Sequence, residues 1–190
     1  MEYRFGSDIA IEILKRSKEA FPYVEAFDCG DENLNFWIKE DFRKSQTVAY
    51  LFVDKANKTL VAYCSMACSG IMTIAEDANP EILDPKTIIP SIEIKFFAVD
   101  NRYRSLRMEE TSKRYDTLSA LIFQYCIYIA CNAAEEHIGA DALLLYSVPK
   151  AKSFYKRNGF VEFSEEMLGD QSGFVEGCVP MYRIISHNIA

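Results

Sequence analysis

Tyr155 and its neighbours form the segment in which residue types and spacing most directly suggest chemistry. Two cations, Lys156 and Arg157, follow the tyrosine, and Gly159 comes two residues after them. A glycine in this place predicts the end of a short helix, because glycine readily adopts the positive φ that terminates helices. A tyrosine hydroxyl can donate its proton to a leaving group. The segment also fits an ordinary amphipathic helix that buries the aromatic pair Phe154 and Tyr155, and both interpretations stay open.

Glu93 supplies a carboxylate in a predicted strand over residues 91–100, which read S-I-E-I-K-F-F-A-V-D. A carboxylate that faces a cleft can accept a proton from a substrate, either directly or through a water. An alternating strand can equally carry a glutamate on its solvent face. The sequence therefore makes Glu93 a candidate general base and leaves a surface role open.

Size and composition set the broad class of the protein. The chain has 190 residues and is 49% hydrophobic and 13% aromatic, which predicts one domain over residues 1–190 with a buried core. No uninterrupted apolar run approaches the roughly 20 residues that span a bilayer. The N-terminal residues lack the basic and then apolar pattern of a signal peptide. We therefore expect a cytoplasmic protein that does not enter a membrane.

Metal and disulfide chemistry find little support in the residue spacing. None of the six cysteines belongs to a C-x-x-C pair, and free thiols in a reducing compartment are the expected state. Only two histidines occur, His137 at a predicted helix end and His187 in the tail. We therefore expect neither a histidine-based metal site nor a Ser-His-Asp triad.

The charge is negative overall but unevenly distributed. The net charge of −7 argues against broad affinity for nucleic acid, since that affinity depends on neutralising phosphates. Residues 102–114 nevertheless contain five cations and two anions, and residues 149–157 contain four cations and no anion. These two basic segments predict a local anion site, with a solvated surface as the alternative.

Hydrophobic periodicity and turn residues predict a mixed α/β (α+β) fold. Predicted helices cover residues 9–16, 32–44, 117–137 and the segment from Pro149 through Tyr155. Predicted strands cover residues 48–54, 59–71, 91–100, 142–146, 160–163 and 181–185. Asp31 is expected to cap the second helix. Residues 75–90 contain three prolines and are expected to form a loop.

Two of the predicted helices have an expected core-facing side. In the helix over 32–44 these residues are Leu34, Trp37, Ile38 and Phe42. In the helix over 117–137 they are Leu118, Leu121, Ile122, Tyr125, Ile129 and Ala133. The second helix is the longest element expected in the chain.

The sequence resembles the GCN5-related N-acetyltransferase (GNAT) superfamily. Residues 151–160, A-K-S-F-Y-K-R-N-G-F, are similar to the family segment A-x-x-F-Y-x-x-x-G-F near its C-terminus. Residues 27–38, F-D-C-G-D-E-N-L-N-F-W-I, look like the N-terminal helix signature of the subgroup that includes toxin acetyltransferases. The order of predicted elements matches the GNAT fold over essentially the whole chain. The resemblance implies a central, mixed but mostly antiparallel sheet flanked by helices.

The resemblance also implies an activity and the residues that perform it. The expected activity is transfer of an acetyl group from acetyl-CoA to a primary amine, which attacks the thioester directly in a ternary complex. Tyr155 is then the acid that protonates the leaving thiolate, and Glu93 occupies the place of the base in the histone-acetylating branch. The family pairs the main chain of its fourth strand with the pantetheine arm, which here implies residues Phe97, Ala98 and Val99.

The pyrophosphate loop departs from the family pattern Q/R-x-x-G-x-G/A, whose amides hold the phosphates at a helix N-terminus. The matching residues are Arg114, Thr117, Leu118 and Ser119. Thr117 and Ser119 replace the two glycines, and a β-carbon restricts close approach of the backbone. Their hydroxyls and the arginines of an insertion over residues 102–113 are expected to compensate. The family's asparagine before the tyrosine helix is also replaced, by Val148.

The sequence indicates the acceptor and the binding partners less directly than it indicates the cofactor. The toxin-like signature suggests the α-amine of aminoacyl-tRNA, whereas the net acidity opposes an RNA substrate. Small amines, a protein N-terminus and a lysine are alternatives, and a homodimer is a further expectation. The altered phosphate loop also supports a different class of function, in which a GNAT-like domain with weak or lost catalysis acts as a binding or regulatory module.

Overall fold

The computed structural model describes residues 2–5, 9–44, 46–74, 86–107, 117–169 and 175–185. The chain divides into two compact units: the first contains Met1–Ala67 and Lys95–Ile127, and the second contains Cys68–Ile94 and Tyr128–Ala190. Two long strands and one long helix contribute residues to both units. The expectation of a single domain over the whole chain stays a prediction.

The strands of the first unit are joined in the order β1-β2-β3-β4-β5. Their bounds are β1 Glu2–Phe5, β2 Ile9–Lys15, β3 Val48–Asp54, β4 Thr59–Ile74 and β5 Lys86–Val99. β1, β2, β3 and β4 pair antiparallel in succession. The last residues of β4 and the first residues of β5 belong to the second unit.

The helix expected over residues 9–16 is wrong, because this segment forms β2. Ile9, Ile11 and Ile13 recur at the two-residue period of a strand. Ile11 is fully buried and lies opposite Asp54 of β3. The first strand, β1, was not expected from the sequence. It pairs antiparallel with β2 on the side opposite β3. Tertiary pairing therefore decides between the two periodicities in this short segment.

Three helices of the first unit are α1 Phe21–Glu25, α2 Glu32–Lys44 and α3 Asn101–Arg104. α2 has the bounds expected from the sequence, and Asp31 caps it by accepting a hydrogen bond of 3.2 Å from the Leu34 amide. Ile38 and Phe42 are buried as expected, Leu34 is half-buried, and Trp37 is 40% exposed. The expected core face of α2 was therefore wrong at Trp37 and only partly right at Leu34.

The longest helix, α4, covers Leu118–Ala133 and continues as a π-helical turn over Ala134–Ile138. Its buried residues are Leu118, Ile122, Phe123, Cys126, Ile127, Ala130 and Ala134. Leu121, Tyr125, Ile129 and Ala133 are only half-buried, so the expected core face was partly wrong. Apolar residues surround most of this helix, and periodicity alone then cannot select the buried side.

The segment Leu118–Ile138 is also long and apolar enough to cross a membrane by length and composition. It has 21 residues, and its most apolar 18-residue window has a mean hydropathy of 1.2 and is 39% buried. Polar residues such as Gln124 and Asn132 interrupt this segment, so it contains no uninterrupted apolar run of about 20 residues. Core helices of soluble proteins have the same composition, and the absence of a membrane span stays a prediction.

The second unit joins the ends of β4 and β5 to further strands in the order β4-β5-β6-β9-β7. Their bounds are β6 Ala142–Ser147, β7 Val161–Glu162, β8 Met167–Leu168 and β9 Val179–Ile184, and α5 covers Lys152–Arg157. β6 is parallel to β5, β9 is antiparallel to both β6 and β7, and β8 pairs antiparallel with β4. The mixed, mostly antiparallel sheet with helices is therefore confirmed.

Asp54 is a fully buried carboxylate at the end of β3. It accepts hydrogen bonds from the Asn57 side chain at 2.8 Å and from the Tyr103 hydroxyl at 3.0 Å. Burial alone would raise the pKa of Asp54, but these bonds and two from the Ala56 and Asn57 amides hold it below its usual value. The bonds therefore stabilise the fold in the charged state of this carboxyl.

The pKa of Asp54 gives a prediction for acid unfolding. A carboxyl whose pKa is lower in the folded state stabilises the fold above its unfolded pKa, about 3.9. That stability is lost as the pH falls through the folded value. We expect the free energy of unfolding in urea to decrease below about pH 4, and Asp54→Asn to make this decrease shallower. An unchanged slope in the variant would show that Asp54 does not contribute.

Candidate active site

Tyr155 lies in α5, which is terminated by a Schellman motif. The Phe160 amide donates to the Tyr155 carbonyl at 3.1 Å, and the Gly159 amide donates to the Lys156 carbonyl at 3.1 Å. Gly159 has the positive φ of 85° that this motif requires. The glycine expected to end this helix is therefore confirmed in that role.

The same motif fixes the aromatic ring of Tyr155. The ring centroids of Tyr155 and Phe160 are 6.3 Å apart, which is the apolar contact that often accompanies a Schellman motif. Phe154 packs edge-on against Tyr155 at 5.3 Å. Phe160 is 1% exposed, whereas Tyr155 is half-buried. The phenol ring of Tyr155 therefore contacts two aromatic side chains and stays partly accessible to solvent.

Two polar contacts anchor the end of α5 to β9. Asn158 is buried and donates its side-chain amide to the Phe154 carbonyl at 2.8 Å. Arg183 of β9 donates to the Asn158 carbonyl at 3.0 Å. Sequence reasoning named neither residue, although asparagine directly before glycine is a signal for a helix end. These contacts hold the position of the tyrosine helix against the sheet of the second unit.

Glu93 also belongs to the second unit and is only 6% exposed. The interpretation of Glu93 as a surface glutamate was therefore wrong. It forms the last of three residue pairs in the parallel ladder between β5 and β6, opposite Leu144. β6 continues for three more residues after Leu144, and these pair with β9 on its other side. Glu93 thus marks the point at which the described parallel pairing ends.

The three residues expected to pair with pantetheine lie on β5 after this point, in the first unit. Ala98 and Val99 are 6% and 5% exposed, and Phe97 is half-buried. The Phe97 ring packs on Phe123 of α4 with centroids 4.7 Å apart. These side chains serve the core, so any ligand would meet the strand through its main chain, as the sequence suggested.

The start of α4 differs from the phosphate cradle expected there. The Thr117 hydroxyl accepts a hydrogen bond of 3.3 Å from the Ala120 amide and so caps the helix. The Leu118 amide donates to the Leu106 carbonyl at 3.1 Å. The Ser119 hydroxyl donates to the Arg104 carbonyl at 3.5 Å. Two first-turn amides therefore already have partners within the chain. Arg114, the remaining predicted cofactor residue, lies outside the described residues.

The basic segments are partly neutralised by partners that the sequence did not reveal. In residues 149–157, Lys152 and Lys156 pair with Glu162 at 3.3 and 2.6 Å. Hydrogen bonds from Lys156 and then Lys152 lower the pKa of Glu162. In residues 102–114, Arg102 pairs with Asp100 at 2.7 Å. An anion site built on these cations would have to compete with existing ion pairs.

Metal chemistry has no visible centre in the part of the chain that is described. Among those residues, no group of three His, Cys, Asp or Glu side chains could hold a metal ion. The cysteines at 29, 64, 68, 126, 131 and 178 are free thiols. His187 lies outside the described residues.

Several solved structures that are similar to this chain contain the toxin AtaT. The AtaTR complex with acetyl-CoA matches with a TM-score of 0.63 and 18% identity over 94% of this chain and 95% of that chain. AtaT complexed with acetyl-methionyl-tRNAfMet matches with a TM-score of 0.58 and 20% identity over 90% and 93%. An AtaT mutant bound to acetyl-CoA and the C-terminus of the antitoxin AtaR gives 0.61 and 19% over 94% of both chains.

These similarities confirm the fold expected from the sequence. The chain has the fold of the AtaT structures, and its mixed sheet flanked by helices is the fold expected from the sequence. At identities near 20% the likeness establishes the fold and not the activity. No protein-family model matches the sequence, and the comparison with curated proteins gives no significant match.

Proposed function

We propose that this chain, which has the GNAT fold, transfers an acetyl group from acetyl-CoA to a primary amine. The observation that carries the proposal is the placement of Tyr155 and Glu93. Both belong to the second unit, where Glu93 closes the parallel ladder between β5 and β6 and Tyr155 lies on α5, which follows β6 after one 3₁₀ turn over Pro149–Ala151. The elements that carry the proton acceptor and the proton donor thus both adjoin β6, one across the ladder and one along the chain. The acetyl-CoA complexes of AtaT, which share the fold, support acetyl-CoA as the donor.

The reaction needs one nucleophilic attack and three proton transfers. Glu93 accepts a proton from the ammonium form of the acceptor, directly or through a water, and the free amine attacks the thioester carbonyl. The carbon–sulfur bond then breaks, and Tyr155 donates its proton to the departing thiolate. The acetylated nitrogen passes its second proton through a water to the Tyr155 phenolate, which leaves a neutral amide and restores the hydroxyl. Positioning of the two substrates in one complex supplies much of the rate acceleration, and each proton transfer contributes about a hundredfold or more.

The described residues fit one part of acetyl-CoA better than the other. An extended pantetheine arm needs unpaired main-chain groups along one side of a strand. The parallel ladder between β5 and β6 has only three residue pairs, which is consistent with such a side on β5 after Glu93. The pyrophosphate is less well provided for, because the Leu118 and Ala120 amides already bond within the chain. We therefore expect measurable but weaker binding than a glycine-containing loop would give.

Aminoacyl-tRNA is the acceptor that we propose on the basis of fold similarity to AtaT, whose complex contains acetyl-methionyl-tRNAfMet. The net charge of −7 and the Glu162 ion pairs oppose a strong RNA contact. If charged tRNA is the acceptor, its KM should rise steeply between about 50 and 200 mM salt, because phosphate contacts release counterions. A KM that is independent of salt would contradict an RNA acceptor, and small amines or peptides would then be tested.

A second candidate function is a GNAT-like module with weak or lost catalysis. It is favoured by the two occupied amides at the start of α4 and by the absence of both loop glycines. Calorimetric titration with acetyl-CoA, with dephospho-CoA as the matched ligand, separates the two candidates. Micromolar binding that is weaker for dephospho-CoA supports the enzyme, and no binding of either ligand supports the module.

The cytoplasmic location and the homodimer stay predictions. Sedimentation velocity would show whether the protein is a homodimer.

A further inference from the structure

The segment over residues 28–31, called here the Asp28 loop, is a polar turn that directly precedes α2. The Asp28 carboxylate accepts hydrogen bonds from the Gly30 amide at 2.7 Å and from the Asn35 side chain at 2.8 Å. The Asn35 side-chain carbonyl accepts in turn from the Cys29 amide at 2.9 Å. The bonds from Gly30 and then Asn35 lower the pKa of Asp28. Asn35 therefore holds both the carboxylate and the main chain of the loop.

The Asp28 loop presents its main chain to α3. The Asn101 amide donates to the Asp28 carbonyl at 2.9 Å, and the Arg104 guanidinium donates to the Cys29 carbonyl. Gly30 has a φ of 73°, and a β-carbon built on it would lie 2.4 Å from the Asn101 side chain. The loop and the first and last residues of α3 are therefore in close, directional contact.

α3 is connected in turn to the start of α4. Asp100 caps α3 by accepting a bond of 3.0 Å from the Arg102 amide, and it also accepts from the Asp28 amide at 3.4 Å. Two residues after α3, the Leu106 carbonyl accepts from the Leu118 amide at 3.1 Å. Arg107 and Thr117 form an antiparallel bridge beside this contact. The main chain of 104–107 thus joins the Asp28 loop to the first turn of α4.

We propose that Asn35 is a positioning residue that holds the first turn of α4 in place through the Asp28 loop and α3. The inference rests on the proposed function in one respect, because the first turn of α4 is where the CoA pyrophosphate is expected to bind. Asn35 itself makes no contact with substrate. Its role is to fix the carbonyls of Asp28 and Cys29, to which Asn101 and Arg104 donate hydrogen bonds. The main chain of residues 104–107 is then held in the position in which the Leu106 carbonyl accepts from the Leu118 amide.

A purely local role in starting α2 explains the contacts less well. α2 already has a cap, since Asp31 accepts from the Leu34 amide. Both side-chain bonds of Asn35 point back to the loop, to Asp28 and Cys29, and not to the helix. An asparagine serving only the helix would not need to bond in that direction. The loop carbonyls that it orients are the ones bound from α3.

The test is hydrogen exchange of the intact protein, followed by mass spectrometry, for Asn35→Asp and Asn33→Asp. Both substitutions add a carboxylate to the first turn of α2, and Asn33 is exposed. Asn35→Asp keeps the acceptor for the Cys29 amide but replaces the donor to Asp28 by a repelling charge. We expect exchange at 118–121 to become about tenfold faster in Asn35→Asp, with exchange at 142–147 unchanged. Asn33→Asp should match the wild type in both segments.

Ligand binding supplies a second readout. We expect the acetyl-CoA dissociation constant of Asn35→Asp to rise about tenfold while kcat at saturation is retained. Unchanged exchange at 118–121 in a folded Asn35→Asp protein would overturn the inference. If that variant does not fold, Arg104→Gln, at an exposed side chain, breaks the same connection at α3 and should accelerate the same exchange. Failure of the wild type to bind acetyl-CoA would overturn the proposed function, whereas the exchange result would still decide the role of Asn35.

Discussion

Replacing Tyr155 by phenylalanine is expected to lower kcat about a hundredfold or more, because the thiolate then leaves without a positioned proton donor. The substitution keeps the ring, so the contacts with Phe154 and Phe160 remain. The Schellman motif uses only the main chain of Tyr155 and is also retained. Thermal unfolding and the acetyl-CoA dissociation constant should therefore change little, and steady-state kinetics should show the loss in kcat alone.

Tyr128→Phe is the matched control for this prediction. Tyr128 lies on α4 and is 58% exposed, so loss of its hydroxyl should leave kcat unchanged. A Tyr155→Phe enzyme with the kcat of the wild type would show that another group protonates the thiolate. A fall in kcat accompanied by a clearly lower melting temperature would instead show that the hydroxyl supports the fold.

The largest expected effect on stability belongs to Gly30→Ala. Its φ of 73° costs an L-residue about 1–2 kcal/mol. The added β-carbon would also lie 2.4 and 2.7 Å from the two terminal atoms of the Asn101 side chain, which must then move out of its contact with the loop at a cost of about 1 kcal/mol. We expect the free energy of unfolding in urea to fall by about 2–3 kcal/mol.

Gly139→Ala separates strain in the backbone from the clash. Gly139 also has a positive φ, 62°, but no described atom lies within 4 Å of a β-carbon built on it. Its substitution should cost only the backbone strain, about 1 kcal/mol. Equal losses in the two variants would contradict the close packing of the Asp28 loop on Asn101.

Local sequence signals predicted an element correctly where the capping residue, the glycine positions and the hydrophobic periodicity all indicate the same structure. α2 has its expected bounds because Asp31 supplies the cap and the apolar residues recur at helical spacing. The end of α5 was predictable from Gly159, since the positive φ is a property of that residue. β2 was mistaken for a helix because seven residues are too few to distinguish the two periods. The antiparallel ladder with β3 determines its structure.

The candidate site was predictable where it depends on neighbouring residues and not where it depends on distant ones. Tyr155, Phe160 and Gly159 lie within six residues, so one motif places all three. The contact between Asp28 and Asp100 joins residues 72 positions apart, and no local pattern announces it. The same holds for the Leu106 carbonyl, which occupies the Leu118 amide at the expected phosphate site.

Single-turnover transfer of labelled acetyl from acetyl-CoA is the measurement that tests the central claim most directly. Wild-type protein and Tyr155→Phe would each be mixed with acetyl-CoA and either bulk aminoacyl-tRNA or a panel of peptide and small amines. The proposed function predicts acetylation of a primary amine of one acceptor class by the wild type, at least about a hundredfold faster than by Tyr155→Phe. Acetyl-CoA bound without transfer to any acceptor, or transfer at equal rates by both proteins, would contradict it.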